Sequence, residues 1–366
     1  MQPRSKSISR KTSFILPLIL LAGWLAGCTS TPVDPAPDEP FTADASEHDE
    51  VEDGDEAVLA LPALAPLSLG GADLRIVATT SIIGDVVARV GGQDVELIVL
   101  LGPGVDSHSY QPGAQDLIAI EKAHVIFVNG WDLEGGLVHD LETIGDQVLI
   151  VPISAGIVPL AAGDLGHDEE AEESDRADDD EQGHDHGPAD PHVWFDLHNV
   201  ERWVENVETV LSALDPARAE VYAANAAVYL AELEDLEATV EAQLALIPPE
   251  NRLLVTNHDS FRYFARAYGF EVIATVIPAA STLAEPSAGD LAGLVDEMEA
   301  HGICTIFTET TVSDALAQTV AAELSGCPEV QVIPLYTEAL GPPGSGADSL
   351  IGMFAANVDA IARGLK

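Results

Sequence analysis

From Leu74 onward the chain alternates two hydrophobic rhythms. Short, almost wholly apolar runs occur at "LRIVATT" (74–80), "DVELIVLL" (94–101), "HVIFVNG" (124–130) and "QVLIVPIS" (147–154). Between them, apolar residues fall every three or four positions, in "SIIGDVVARVGG" (81–92), "PGAQDLIAIEKA" (112–123) and "DLEGGLVHDLETIG" (132–145). The first rhythm predicts strands and the second amphipathic helices. Strands apolar on both faces belong in a parallel sheet covered by helices on either side.

The alternation then stops, and a long helical region follows. Asp215 predicts a helix N-cap with Pro216 at the first helical position. Tyr222, Ala226, Tyr229, Leu233, Leu236, Val240, Leu244 and Ile247 then recur at intervals of three and four, until Pro248 and Pro249 stop the pattern. Some 32 residues at about 1.5 Å each predict a rod on the order of 48 Å, long enough to join two halves of a molecule. A second α/β block follows, with strands at 252–257, 270–277, 304–307 and 330–336 and helices at 260–269, 287–302, 311–324 and 348–365. The fold class is therefore α/β, with two lobes of mainly parallel sheet joined by one long helix and a cleft between them.

The ends change the picture of where the protein works. Arg4, Lys6, Arg10 and Lys11 precede the apolar run "ILPLILLAGWLAG" (15–27), too short to span a bilayer comfortably, and "LAGC" ends at Cys28. This resembles a lipoprotein signal, with Cys28 as the lipidated residue and the protein held outside the cytoplasm at a membrane or cell surface. Residues 1–27 are then signal, and 28–72, rich in Pro, Ala and acids, an acidic disordered tether. The N-terminal lobe spans 73–196, the helical connector 197–249 and the C-terminal lobe 250–366.

Without the signal, 11 basic residues face 62 acidic ones, a net charge of −51. Such a chain will not bind nucleic acid through phosphates but is compatible with collecting cations. The charge is uneven: 13 acids lie between Asp164 and Asp190, in a loop (164–190) that also carries His167, His184 and His186. Cys304 and Cys327 lie near the starts of two neighbouring strands, where either a disulfide or two buried thiols fit.

Chemistry concentrates at strand ends, where ligands of parallel sheets bind. His108 lies in "GPGVDSHSYQP" after the second strand, and His192 in "ADPHVWFD" before the connector. His258 in "NHDSF" and Glu338 in "TEALGPPGSG" each follow a strand of the second block. Three imidazoles and one carboxylate satisfy the four-ligand demand of zinc. Each residue alone also reads as a cap or a hydrogen-bonded polar group, as His124 and His301 do.

Several motifs bear on that choice: "GVDSHSYQP", "DPHVWFD", "TNHDSFRYFARAYG", "LAEPSAGDL", "TETTVSDALA" and "YTEALGPPGSGADS". With these the chain resembles, over nearly all of 74–366, the zinc- and manganese-specific solute-binding lipoproteins of bacterial ABC importers, of the zinc-uptake type. The resemblance implies two α/β lobes joined by a rigid helix, with His108, His192, His258 and Glu338 as metal ligands between them. It implies an ABC permease and its ATPase as partners of a monomeric carrier. Glu338 departs from the aspartate usual in the family. Members with histidine at the third position tend toward zinc, and three imidazoles suit zinc better than the harder manganese ion; Mn²⁺ is the alternative. Asp106, Asp190 and Asp259 are candidate acceptors for imidazole N–H groups. The loop histidines 167, 184 and 186 read as accessory zinc collectors or as part of an inert solvated loop. A zinc hydrolase is disfavoured because no "HExxH" occurs and all four coordination places are filled. An adhesin on the same fold has no repeats or aromatic tracts in its favour.

Overall fold

The computed structural model describes residues 58–137, 148–161 and 189–366. The signal segment with Cys28, most of the tether, and the loop histidines 167, 184 and 186 lie outside them. In the N-terminal lobe, strands β1 (Leu74–Ala78), β2 (Val95–Val99), β3 (Val125–Val128) and β4 (Leu149–Pro152) form one parallel sheet in the order β2-β1-β3-β4. The C-terminal lobe repeats the plan with β5 (Leu253–Thr256), β6 (Glu271–Thr275), β7 (Thr305–Glu309) and β8 (Gln331–Leu335), parallel and in the order β6-β5-β7-β8. Position in the sheet follows composition. The apolar "VIFV" of β3 is wholly buried and central, whereas β2, with Glu96 and exposed Ile98 and Val99, takes an edge. In both sheets the strand order reverses beside the first strand, which opens a crevice beyond the carboxyl ends.

Helices α1 (Ser81–Gly91) and α2 (Ala114–Lys122) belong to the first lobe. The side chain of Thr80 caps α1 by accepting from Ile83 N at 3.2 Å. The connector comprises α3 (Leu197–Leu214) and α4 (Ala219–Leu244), with a 3₁₀ turn at Pro216–Arg218 between them. The helices of the second lobe are α5 (Arg262–Tyr268), α6 (Ala288–His301), α7 (Ala315–Glu323) and α8 (Leu350–Gly364). The helix expected over 132–145 falls largely outside the described residues.

The rod is shorter than its apolar pattern suggests. Helix α4 has 26 residues, roughly 39 Å. Asp215 is an N-cap with Pro216 at the first position, as expected, but of the 3₁₀ turn that runs directly into α4; its backbone N–H also closes α3 on Leu211, and its carboxylate accepts from Arg218 Nη1 at 2.7 Å and Tyr222 OH at 3.3 Å. Asp215 and Pro216 thus serve the turn between two helices that pack on each other. The joining role stands. Tyr222, Ala226, Tyr229, Leu233, Leu236, Val240 and Leu244 form the buried stripe of α4. Toward the first lobe, Tyr229 OH donates to Asp85 (3.1 Å) and Asn225 Nδ2 to Val90 O (2.9 Å). Toward the second, Gln243 Nε2 donates to Asp359 (2.5 Å), and Glu237 accepts from Tyr268 OH (2.8 Å).

Composition alone also misplaces the end of the tether. Residues 58–72 lie against the lobe: Gly156 N donates to Leu59 O (2.8 Å), Leu67 N donates to Leu214 O (2.9 Å), and Leu61, Leu64 and Leu69 pack on the main core. Five leucines in twelve residues outweigh the prolines among them. Cys304 and Cys327 are joined in a disulfide between the start of β7 and the approach to β8.

Leu233 sits fully buried on α4. Leu233→Ala is expected to lower the unfolding free energy of the metal-free protein by about 2–5 kcal/mol, and a loss under about 1 kcal/mol in urea denaturation would contradict this packing.

Candidate metal centre

His108, His192, His258 and Glu338 converge. Each offers one ligand atom, and these atoms all lie within 4.8 Å of one another. Two come from the first lobe, in the loop after β2 and in the turn before α3. Two come from the second, just beyond the ends of β5 and β8. His192, His258 and Glu338 are 0–1% exposed and His108 is 7% exposed, so the cluster meets solvent on the His108 side. A cleft of about 290 Å³ opens there, lined by His108, Tyr110, Asp132 and Leu283 among others.

Local structure aims each group. His192 precedes the 3₁₀ turn Val193–Phe195, which is pinned across the cleft: Trp194 Nε1 donates to Thr337 O at 3.0 Å, and Phe195 stacks on Phe261 at 4.3 Å. Thr256 Oγ1, at the end of β5, donates to His258 O at 2.8 Å and bends the chain there.

The separations are those of a coordination shell. His192 Nε2 lies 3.3 Å from His108 Nε2, 3.1 Å from His258 Nε2 and 3.2 Å from Glu338 Oε1. Glu338 Oε1 is 3.6 Å from His258 Nε2, and its other oxygen, Oε2, is 3.9 Å from His108 Nε2. A tetrahedron with bonds of about 2.0–2.1 Å has edges of about 3.3 Å. Glu338 Oε1 is buried without a well-formed hydrogen bond, an acceptor left for a cation.

Further carboxylates hold the outer ring nitrogens. Asp190 Oδ1 takes His192 Nδ1 at 2.7 Å, and Glu309 takes His258 Nδ1. Each fixes the N–H on Nδ1 and leaves the Nε2 lone pair facing the centre. Of the three aspartates considered from sequence, Asp190 has this role. Asp106 accepts from His108 N and from Thr282 Oγ1 across the cleft, and Asp259 pairs with Arg262. Sequence reasoning missed Glu309 and Ser107. Glu309 also accepts from Thr337 Oγ1 at 2.8 Å, and Ser107 Oγ donates to Glu338 Oε2. An acid closing the apolar run "CTIFTE" was the available signal for Glu309; nothing marked Ser107 beyond its place next to His108.

The electrostatics describe a site with protons standing in for a metal. Burial opposes charge on His192, but the carboxylates of Glu338 and Asp190 outweigh it and push the imidazole up to about 10. Burial likewise opposes charge on His258, and Glu309 beside it prevails and raises it. Burial would raise Glu338, yet the three surrounding imidazoles hold it well below the usual carboxylate range.

Two parallel α/β lobes, a helix bolted to both, and a buried cluster of three imidazoles and a carboxylate between them define a metal-binding solute-binding protein of an ABC importer. Residues 76–364 match the profile of the family described as zinc-uptake complex component A, periplasmic, and the chain belongs to that family. It is 34% identical over 296 residues to the manganese-binding lipoprotein MntA of Halalkalibacterium halodurans, covering 81% of this chain and 90% of that one. It is 30% identical over 301 residues to the metal ABC transporter substrate-binding lipoprotein SloC of Streptococcus mutans, covering 80% and 90%. Among solved structures, the periplasmic zinc-binding protein TroA of Treponema pallidum superposes with a TM-score of 0.68 at 28% identity, over 80% of this chain and 99% of that one. The protein is a binding component of an importer and not an enzyme.

The raised imidazole gives a pH dependence with a definite sign. In the metal-free protein His192 carries a proton up to about pH 10, so its stabilising contribution is complete below about pH 6.5 and is lost as pH rises through 10. Metal must displace that proton, and affinity therefore rises with pH over the same window. Calorimetry at pH 8 in buffers of differing ionisation enthalpy is expected to show proton release on binding; zero release would contradict this site. Asp190→Asn and Glu309→Gln are each expected to weaken metal binding by about 10–100-fold while leaving one ion per chain. Chelator competition measures this, and unchanged affinity would remove the orienting role.

Proposed function

We propose that this protein is an extracytoplasmic carrier that binds one Zn²⁺ through His108, His192, His258 and Glu338 and delivers it to an ABC permease driven by its ATPase. One observation carries the choice of metal. Glu338 Oε2 already accepts from Ser107 while Oε1 has no well-formed hydrogen bond, which favours ligation through one oxygen, and the three separations from His192 Nε2, 3.1–3.3 Å, match the edges of a zinc tetrahedron. Zinc takes three nitrogens and one oxygen readily, whereas manganese favours more oxygen ligands in an octahedron. The name of MntA favours the manganese reading, and the family description and the TroA structure favour zinc. No observation among the described residues favours an adhesin.

The remaining parts of the reading follow from sequence. Cys28 carries the lipid anchor, and the carrier works as a monomer at the outer face of a membrane. The loop at 164–190, with His167, His184 and His186, collects zinc near the cleft mouth. None of the helices among the described residues is long and apolar enough to cross a membrane.

The test is a competition on soluble protein beginning after Cys28, with and without residues 164–187. Metal-free protein receives one equivalent of Zn²⁺ and a large excess of Mn²⁺, and native mass spectrometry counts the ions. One retained zinc in both forms is the expected result, with slower capture in the shortened form. Replacement of zinc by manganese would overturn the zinc assignment and leave the importer role intact.

A further inference from the structure

Helix α1 of the first lobe grips the second lobe at two points on either side of one loop. Ser81 Oγ accepts from the backbone N–H of Leu340 at 3.0 Å, and Asp85 Oδ2 accepts from the backbone N–H of Leu350, also at 3.0 Å. Ser81 and Asp85 are four residues apart, one helical turn, and so share a face of α1. Leu340 is two residues beyond Glu338, and Leu350 is the first residue of α8. The clamped stretch therefore begins two residues after Glu338, the second lobe's carboxylate in the cluster.

The chemistry of the two contacts is unequal. A helix has free N–H groups in its first turn and a partial positive charge there. Ser349 Oγ satisfies Gly352 N at 3.1 Å, and the Asp85 carboxylate serves Leu350 from across the lobe boundary. The same oxygen also accepts from Tyr229 OH at 3.1 Å. Asp85 thus joins α1, the connecting helix α4 and the start of α8 at one atom. The guanidinium of Arg89 lies 4.7 Å over the Tyr229 ring and braces that side of the joint.

Between the two contacts the loop is stiff. Gly341 N donates to Ala347 O at 2.8 Å, and Gly344 N donates to Asp348 Oδ2 at 2.7 Å. A Cβ on Gly352 would stand 2.2 Å from Gly346 O, so loop and helix meet without room for a side chain. A loop braced in this way transmits a pull on its ends to Glu338.

We propose that Ser81 and Asp85 form a latch that holds the Glu338-bearing segment against the first lobe and sets how long the metal is retained. Neither residue is among the metal ligands; both are positioning residues. The latch rests on the reading that Glu338 ligates the carried ion. Releasing Leu340 and Leu350 from α1 leaves the segment held to the first lobe only by the Trp194–Thr337 and Ser107–Glu338 hydrogen bonds beside the cluster, so the carboxylate leaves the cluster more readily while the three histidines stay in place.

The test compares dissociation rates. Wild-type protein, Ser81→Ala, Asp85→Asn, Asp85→Ala and the double alanine variant are loaded with Zn²⁺ and mixed with excess chelator. Asp85→Ala is expected to release metal about tenfold faster, as for the loss of hydrogen bonds to a charged acceptor. Asp85→Asn, which keeps an acceptor oxygen, is expected to be milder, and the double variant faster still. All should retain one ion per chain and, with Co²⁺, the absorption spectrum of the unaltered four-donor site. Leu233→Ala, destabilised elsewhere on α4, serves as control and should dissociate within about twofold of wild type. Dissociation from Asp85→Ala no faster than from that control would overturn the latch. The reading that Glu338 ligates the ion is tested separately, by the stoichiometry and affinity of wild type against Glu338→Gln. The rates are compared with whichever of Zn²⁺ or Mn²⁺ the wild type holds, so the two failures are distinguishable.

Discussion

Three imidazole lone pairs and one carboxylate oxygen meet at a buried point, and the rest of the structure depends on that convergence. Donor atoms held within 4.8 Å of one another in a buried site interact strongly as charges. His192 and His258 accordingly gain basicity, and Glu338 is held anionic. The carboxylates behind them make the convergence permanent. Asp190 and Glu309 turn the rings inward, and Ser107 reaches across the cleft to occupy the spare oxygen of Glu338.

This constraint explains the architecture around it. Two of the ligands come from each lobe, so the cluster exists only while the lobes are held in register. Helix α4 supplies the register by bonding to α1 at one end and to α8 and Tyr268 at the other. The stacked Phe195 and Phe261 and the Trp194–Thr337 hydrogen bond close the interface beside the cluster.

Much of this was legible in the sequence because the signals were strong and local. Apolar runs and three-four spacing located both sheets and the buried stripe of α4, since burial on both faces leaves no polar alternation. The four residues of the cluster could be picked out through their strand-end positions and the motifs around them. What remained hidden depends on tertiary placement. Glu309 and Asp85 lie far in sequence from the groups they serve, and a carboxylate at the end of a strand or within a helix looks like any other until the lobes meet. Asp215 was legible as an N-cap before proline, but the 3₁₀ character of the turn it begins was not. Residues 58–72 misled because their prolines resemble a linker, whereas their leucines find a core only once the lobe is folded.

The central claim is a four-donor site that holds zinc through three imidazoles and one carboxylate oxygen. X-ray absorption spectroscopy of the zinc-loaded protein tests it most directly. The account predicts four nitrogen or oxygen neighbours at about 2.0–2.1 Å, with the outer-ring scattering of three imidazoles. A shell of five or six light atoms, or fewer than three imidazoles, would contradict it.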